Sequence, residues 1–210
     1  VIDAIFRQYG VHRAETTEDL VDIAYAVING KRPKGRRLGL ITISGGVGVL
    51  MSDAAEDYGL DVAPMSESAQ ASLMELIPFA APRNPVDVTA QILNELDKLP
   101  QFFSTLIVEG KYDAALAFFT SGTSTKTPAP KFLAAITEMR EQHPDQFIVL
   151  SLLGEEKEIR SYEELGFPVF ADPSRAVAAI AAVTQFTESQ ARMAARKPLT
   201  LPPPKGLPDA

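Results

Sequence analysis

ITISGGVGVLMSDAAEDYGL, Ile41 to Leu60, changes its hydrophobic period in the middle. Leu38 to Ile43 is an almost unbroken apolar run, the pattern of a strand buried on both faces. Beyond Ser44 and the glycines, Val47, Leu50, Met51, Ala54, Ala55 and Tyr58 recur at helical spacing, with Asp53, Glu56 and Asp57 opposite them. A helix over about 46–58 is therefore predicted. A strand that runs through glycines into a helix is half of a crossover unit, so the remaining sequence must supply parallel neighbours.

The alternation continues in both directions. Upstream, Ile2, Ile5, Phe6 and Tyr9 form a lead-in helical face closed by Gly10. Thr16 with Asp19 reads as a capping box, which predicts a helix over 17–29. The basic run KRPKGRR, Lys31 to Arg37, reads as a solvated turn at the amino edge, with a binding patch as the alternative. Downstream, LDVAPM (60–65) reads as a short strand, 69–77 as a helix, NPVDV (84–88) as a short extended piece and 99–109 as a helix. Then follow a strand in DAALAFFT (113–120), a helix over 130–142, a strand in QFIVLSLL (146–153), a helix over 156–165, a strand in PVFA (168–171) and a helix from Ser174 to about Ala195. The expected fold is α/β, a doubly wound parallel sheet covered on both faces in three αβα layers. Residues 1–196 form that unit with its lead-in helices. Residues 197–210 hold five prolines and read as a proline-rich linker.

With 210 residues, 46% of them apolar, the chain can bury a full core. A net charge of −7 disfavours nucleic acid and anionic membrane as partners. There is no cysteine, hence no disulfide, thiolate metal site or cysteine nucleophile. No apolar run reaches membrane-spanning length, and a cytoplasmic protein is the expectation. The first residue is Val1, inside an apolar pattern, as if cut from something longer.

In an open parallel sheet, ligands bind where the strand-to-helix loops emerge. Five loops meet that condition: 44–48, 88–91, 120–127, 153–155 and 171–173. At the first, glycines let a ligand approach the backbone, and the following helix offers unpaired N–H groups and a positive dipole end to an anion. Ser44 adds a hydroxyl. Glycines also serve simple chain reversal, and that reading stays beside the first. Familiar nucleotide motifs fit poorly: Met51 stands where a dinucleotide fingerprint wants its third glycine, and no P-loop occurs. No catalytic residue and no metal site are read from the chain.

The stretch GLITISGGVGVLMSDAAEDYGLDVAPMSE, with NPVDV after it, VIDAIFRQYGVHRAETTEDLVDIAYAV before it and GFPVFADPSRAVAAIAAV at the end, resembles the third, flavodoxin-like domain of the NDP-forming acyl-CoA synthetases, in the succinyl-CoA synthetase superfamily. The resemblance implies an acid-thiol ligase in which ATP (with magnesium), a small carboxylic acid and coenzyme A react through a phosphorylated histidine. It also implies that this domain binds no cofactor by itself. Its share is a phosphate-binding helix N-terminus formed by Ser44, Gly45, Gly46, Val47 and Gly48, which faces a histidine loop from another domain. Partners follow from it: a CoA-binding domain and a histidine-bearing domain upstream, an ATP-grasp domain downstream, and pairing of copies into a homo-oligomer.

Two departures stand out. Relatives carry Asn and a further glycine where this chain has Ile43 and Ser44, and no Ser-His-Thr-Gly loop is present. His12 and His143 read as solvated or capping residues. Asn84 and Asp87 read either as contacts to the acyl carboxylate or histidine loop or as ordinary turn residues. The loop TSGTSTKTPAP, with Thr120, Ser121, Gly122 and Lys126, reads as a phosphate or carboxylate contact or as inert loop. LGEEKE (153–158) supplies acids to a helix start. The competing function is an independent flavodoxin-like module for a small anion or nucleotide.

Overall fold

A computed structural model describes residues 2–120 and 128–195. Five parallel strands, β1 (Leu38–Thr42), β2 (Val86–Asp87), β3 (Ala114–Phe118), β4 (Phe147–Ser151) and β5 (Val169–Phe170), lie in the order β2-β1-β3-β4-β5. Register is fixed along the centre by Leu40 opposite Leu116 and Leu116 opposite Val149. The helices are α1 (Ile2–Tyr9), α2 (Thr17–Asn29), α3 (Gly45–Asp57), α4 (Glu67–Leu76), α5 (Leu99–Gly110), α6 (Pro128–Gln142), α7 (Glu156–Glu164) and α8 (Pro173–Ala194). Two 3₁₀ turns, Ala90–Asn94 and Leu96–Lys98, precede α5. The doubly wound expectation holds.

The unbroken apolar runs of the central strands are explained by two cores. Ile41, Ala115, Ala117, Ile148 and Leu150 point to one side, with Leu73, Phe102, Leu106 and Phe132. Leu38, Leu40, Leu116, Phe147 and Val149 point to the other, with Ala26, Met51, Ala55 and Ile180. Side chains alternate at period two while both faces stay dry. Helix ends follow the sequence closely. Asp19 N–H donates to Thr16 Oγ1 at 3.0 Å and Thr16 N–H to Asp19 Oδ2 at 3.1 Å, completing the expected capping box. Glu155 and Glu158 form another at α7.

One expected strand is absent. LDVAPM meets the sheet only through a bridge between Arg37 and Asp61. The edge of β1 that it would pair with is taken by a side chain. Leu40 N–H donates to Asn84 Oδ1 at 2.8 Å, and Asn84 Nδ2 donates to Leu38 C=O at 2.9 Å and Val62 C=O at 3.1 Å. A carboxamide thus imitates a peptide unit where β2 is too short to reach. Pro64, without an N–H, is also a poor ladder member.

The basic run lies at the amino edge as expected, with Lys31, Arg32, Lys34 and Arg36 exposed, and its arginines also make contacts. Arg36 makes a bidentate pair with Glu188 at 2.8 and 2.7 Å. Arg32 donates to Gln190 at 3.0 Å and lies over Phe186, and Arg37 lies over Tyr112. The Arg32 and Arg36 contacts join the start of the sheet to the end of α8. At the outer strand, Tyr25 of α2 accepts from Val169 N–H at 2.9 Å, donates to Glu163 and meets Phe170 edge-on. That covers an N–H on an edge strand. Burial, then the bond to Glu163, raises the Tyr25 pKa and keeps the phenol protonated.

Arg140 closes the end of α6, donating to the carbonyls of Gln146 at 2.9 Å and Gly166 at 3.2 Å with its guanidinium over Phe167. His143 sits against it with Nε2 buried and unpartnered. Burial and then the Arg140 charge lower the His143 pKa. Below the ordinary histidine pKa of about 6.5, the unfolded chain therefore binds a proton that the folded chain resists, and stability falls as pH falls. Above it both states are neutral and the contribution is flat. Urea midpoints at pH 7.5 and 5.5 should drop on acidification, and His143→Gln should reduce that drop. An equal drop in the variant would remove His143 as a source.

Candidate functional site

The strand order reverses between β1 and β3, and α3 begins directly beyond β1, at the crevice where open α/β sheets bind ligands. The turn into α3 is held from below. Thr42 Oγ1 accepts from Ser44 N–H at 2.9 Å and donates to Ser44 C=O at 2.8 Å, so one hydroxyl fixes both ends of the residue that caps the helix. Gly48 N–H donates to the same Ser44 carbonyl at 3.0 Å. It is therefore the first intrahelical donor and is not offered to a ligand, contrary to its expected role. Its use is steric: a Cβ there would stand 3.2 Å from Thr42 Cγ2 and 3.3 Å from Pro85 Cβ. Glycine at 48 lets the helix sit down on β1 and Pro85.

Three donors remain. The N–H groups of Gly45, Gly46 and Val47 make no hydrogen bond among the described residues, and the Ser44 hydroxyl makes no capping bond. Gly45 and Gly46 are exposed, and a Cβ at Gly46 would meet nothing within 4 Å. Three unpaired N–H groups in one turn, at the positive end of a helix of 13 residues, suit an anion with several oxygens.

Asp87, at the end of β2, reaches this edge. Its Oδ1 accepts from Thr89 N–H at 2.8 Å, and its Oδ2 would be 3.3 Å from a Cβ on Gly45. Thr89 has φ of 53°, a left-handed conformation uncommon for a β-branched residue. It is held by Asp87 and by Gln91 N–H, which donates to Thr89 Oγ1 at 3.2 Å. Asn84 does not reach the edge; it is 6% exposed and its amide is engaged with backbone. Thr120 follows β3 at the carboxyl edge and is exposed. Ser121, Gly122 and Lys126 lie outside the described residues, as does the 197–210 segment.

His12 and His143 are both away from this edge. His12 Nδ1 is 3.1 Å from Gln185 Oε1 on α8, and His143 follows α6 at the opposite edge. Thr42 was missed in the sequence because it reads as one more strand residue. Thr89 gave no signal, because a positive φ is set by the surrounding loop. Around the site Val49, Leu50 and Leu153 are exposed apolar side chains. The two described cavities, of about 430 and 240 Å³, lie along α8 beside α2 and between α6 and α7, and neither is lined by Ser44–Gly48 or Asp87. Among the described residues no helix is long and apolar enough to cross a membrane, and no group of His, Cys, Asp and Glu could hold a metal ion.

The Ligase-CoA domain family matches residues 38–194. Among curated proteins, the chain is similar to the alpha subunit of ADP-forming acetate–CoA ligase I of Pyrococcus furiosus, 29% identical over 208 residues, covering 91% of this chain and 42% of the relative. It is similarly related to an ADP-forming acetate–CoA ligase I of Archaeoglobus fulgidus, 29% identical over 193 residues, covering 90% of this chain and 26% of the relative. The chain thus spans less than half the length of these relatives. Among solved structures, a Pyrococcus horikoshii protein superposes with a TM-score of 0.79 at 23% identity, over 90% of this chain and 44% of that one. The dinucleotide forming acetyl-coenzyme A synthetase 1 of Ca. Korarchaeum cryptofilum, in complex with phosphate and ADP, superposes at 0.72 with 20% identity, over 94% of this chain and 43% of that one. Both share the fold.

Proposed function

The chain belongs to the Ligase-CoA domain family, and from that premise we propose that it is a portion of an NDP-forming acyl-CoA synthetase of the cytoplasm, contributing a phosphate-binding helix to a site shared between domains. The observation that carries this reading is the exposed start of α3, where Gly45, Gly46 and Val47 keep their N–H groups unpaired. In that role the three donors and the helix dipole would receive a phosphoryl group borne on a histidine of another domain. The transfer sequence is ATP to histidine, histidine to the carboxylic acid, and the acyl group then to the coenzyme A sulfur, with release of ADP and phosphate.

The surroundings support a shared site over a self-contained one. A module that binds a small anion alone needs walls around it, yet among the described residues Gly46 is open and neither of the two cavities includes the turn. Exposed Val49 and Leu50 on the first turns of α3 suit coverage by another domain. CoA-binding and histidine-bearing domains and an ATP-grasp domain would supply what this chain lacks, with magnesium accompanying the nucleotide there. Asp87 is the side chain best placed to orient the arriving loop, and Thr120 borders the same edge.

Full-length protein containing this chain, given ATP, coenzyme A and acetate, is expected to yield ADP, acetyl-CoA and an acid-labile phosphohistidine outside residues 1–210. The 210-residue chain by itself should form no acyl-CoA. Turnover by the isolated chain, or phosphate on His12 or His143, would overturn the division of labour.

A further inference from the structure

We propose that Thr42 is a positioning residue for phosphoryl transfer: its hydroxyl holds Ser44 so that the N–H groups at the start of α3 stay turned towards an incoming phosphoryl group. That role rests on the proposed phosphate binding by α3 and names the side chain on which the aim of the helix depends. Thr42 ends β1 and is 1% exposed. Like Leu38 and Leu40, it points to the α3 side of the sheet. Both branches of the side chain are used. Cγ2 lies 3.2 Å from where a Cβ on Gly48 would stand, while Oγ1 accepts from Ser44 N–H at 2.9 Å and donates to Ser44 C=O at 2.8 Å. A β-branched residue with a restricted χ1 has little freedom to release either contact. The Thr42 carbonyl accepts from Val88 N–H at 2.8 Å, and Asp87 stands opposite Thr42 in register. The anchor is thus part of the frame that also carries Asp87.

The direction of the donors follows from peptide geometry. Ser44 C=O and Gly45 N–H belong to one planar trans peptide, in which the two groups point opposite ways. A carbonyl drawn down onto Thr42 Oγ1 and Gly48 N–H therefore turns the Gly45 N–H away from the sheet. Gly45 and Gly46 have no Cβ to restrict φ and ψ, so the turn needs an anchor from outside itself. An ordinary N-cap supplies one by occupying the donors: Thr16, Ser66 and Asp172 each accept from an N–H in the first turn of their own helix. Ser44 makes no such bond. Thr42 instead fixes the residue before the donors, which holds the helix start while the N–H groups of Gly45, Gly46 and Val47 stay unpaired among the described residues. Donors set in place before the ligand arrives need no reorganisation during transfer.

Two substitutions separate the hydroxyl from the methyl in full-length protein containing this chain. Thr42→Val keeps the branched shape and removes both bonds to Ser44; α3 still begins there, because Gly48 N–H keeps the Ser44 carbonyl. Thr42→Ser keeps the hydroxyl and removes the methyl that packs on Gly48. Per folded molecule, Thr42→Val should form phosphohistidine about ten- to a hundredfold more slowly, the scale on which misplaced groups lose rate, at an unchanged half-saturating ATP concentration. Thr42→Ser should recover the rate to within about threefold of the parent while unfolding at a lower urea concentration, as expected for the loss of a buried methyl group. A purely structural Thr42 predicts lower urea midpoints with the rate per folded molecule unchanged. If Gly46→Asp slows the transfer and Thr42→Val does not, α3 keeps its role and positioning by Thr42 is overturned. Equal slowing in Thr42→Ser and Thr42→Val overturns it as well, since packing and not the hydroxyl would then set the aim. If Gly46→Asp leaves the rate unchanged, phosphate binding by α3 falls, and the role of Thr42 falls with it.

Discussion

Replacing Gly46 by aspartate should leave the chain folded and cut phosphoryl transfer in the full-length protein by about ten- to a thousandfold. The side chain has room, because a Cβ at this position meets nothing within 4 Å. An acid in the first turn of a helix is favourable by about 0.3–1 kcal/mol, so the variant should melt no lower than the parent. The damage is confined to the ligand. A carboxylate about 4 Å from an incoming phosphoryl group costs about 1–4 kcal/mol at the dielectric of a protein surface, and it also competes for the N–H donors of Gly46 and Val47. Gly46→Ala controls for the loss of glycine alone and should stay within about threefold of the parent rate. Measuring phosphohistidine formation and its discharge separates the steps. If Gly46→Asp transfers phosphate at the parental rate, the start of α3 has no part in the reaction.

The largest loss of stability is expected at Asn84. Its amide accepts from Leu40 N–H and donates to Leu38 C=O, both on a strand with every residue buried. Asn84→Ala deletes both partners together. A buried polar group left unsatisfied costs about 1–3 kcal/mol, so the variant should lose about 3 kcal/mol in urea unfolding, a large part of the roughly 5–15 kcal/mol typical of a domain. Asn84→Asp should fare worse, since a carboxylate offers no donor to the Leu38 and Val62 carbonyls and adds a charge at a site only 6% exposed. Where folded protein is recovered, its phosphoryl transfer should match the parent, because the side chain points into β1 and not to the carboxyl edge. A loss under 1 kcal/mol would show that water or a shifted backbone replaces the amide.

These two residues also mark what could be read from the residues alone. The strand-to-helix junction at Ser44 to Gly48 was legible because its signals are local: an apolar run, small residues, then a helical period. The capping box of Thr16 and Asp19 was legible for the same reason, and it fixed α2 to the residue. Asn84 was not, because its partners lie 44 and 46 residues away on β1. Nothing near Asn-Pro distinguishes an amide that completes a sheet from one that makes a turn. The same distance hid the absence of a strand at LDVAPM, whose composition suits an extended chain but whose edge was already occupied. At the site, the glycines were found, but their separate duties were not. Whether an N–H is offered to solvent or closes the first helical turn depends on where the helix begins, and that moved Gly48 from donor to spacer.

The phenol of Tyr25 sits on Val169 N–H, and Ala26 beside it is buried with Phe147 and Phe170. Both belong to α2, upstream of the stretch that the Ligase-CoA domain family matches, which starts at Leu38. Trimming the chain to that stretch would strip the lid from one margin of the sheet. Aromatic surface on β4 and β5 would face water, and an open backbone donor would await any passing strand. The boundary of the domain family's match and the boundary drawn by solvent exclusion are therefore different lines, and the second takes in α2.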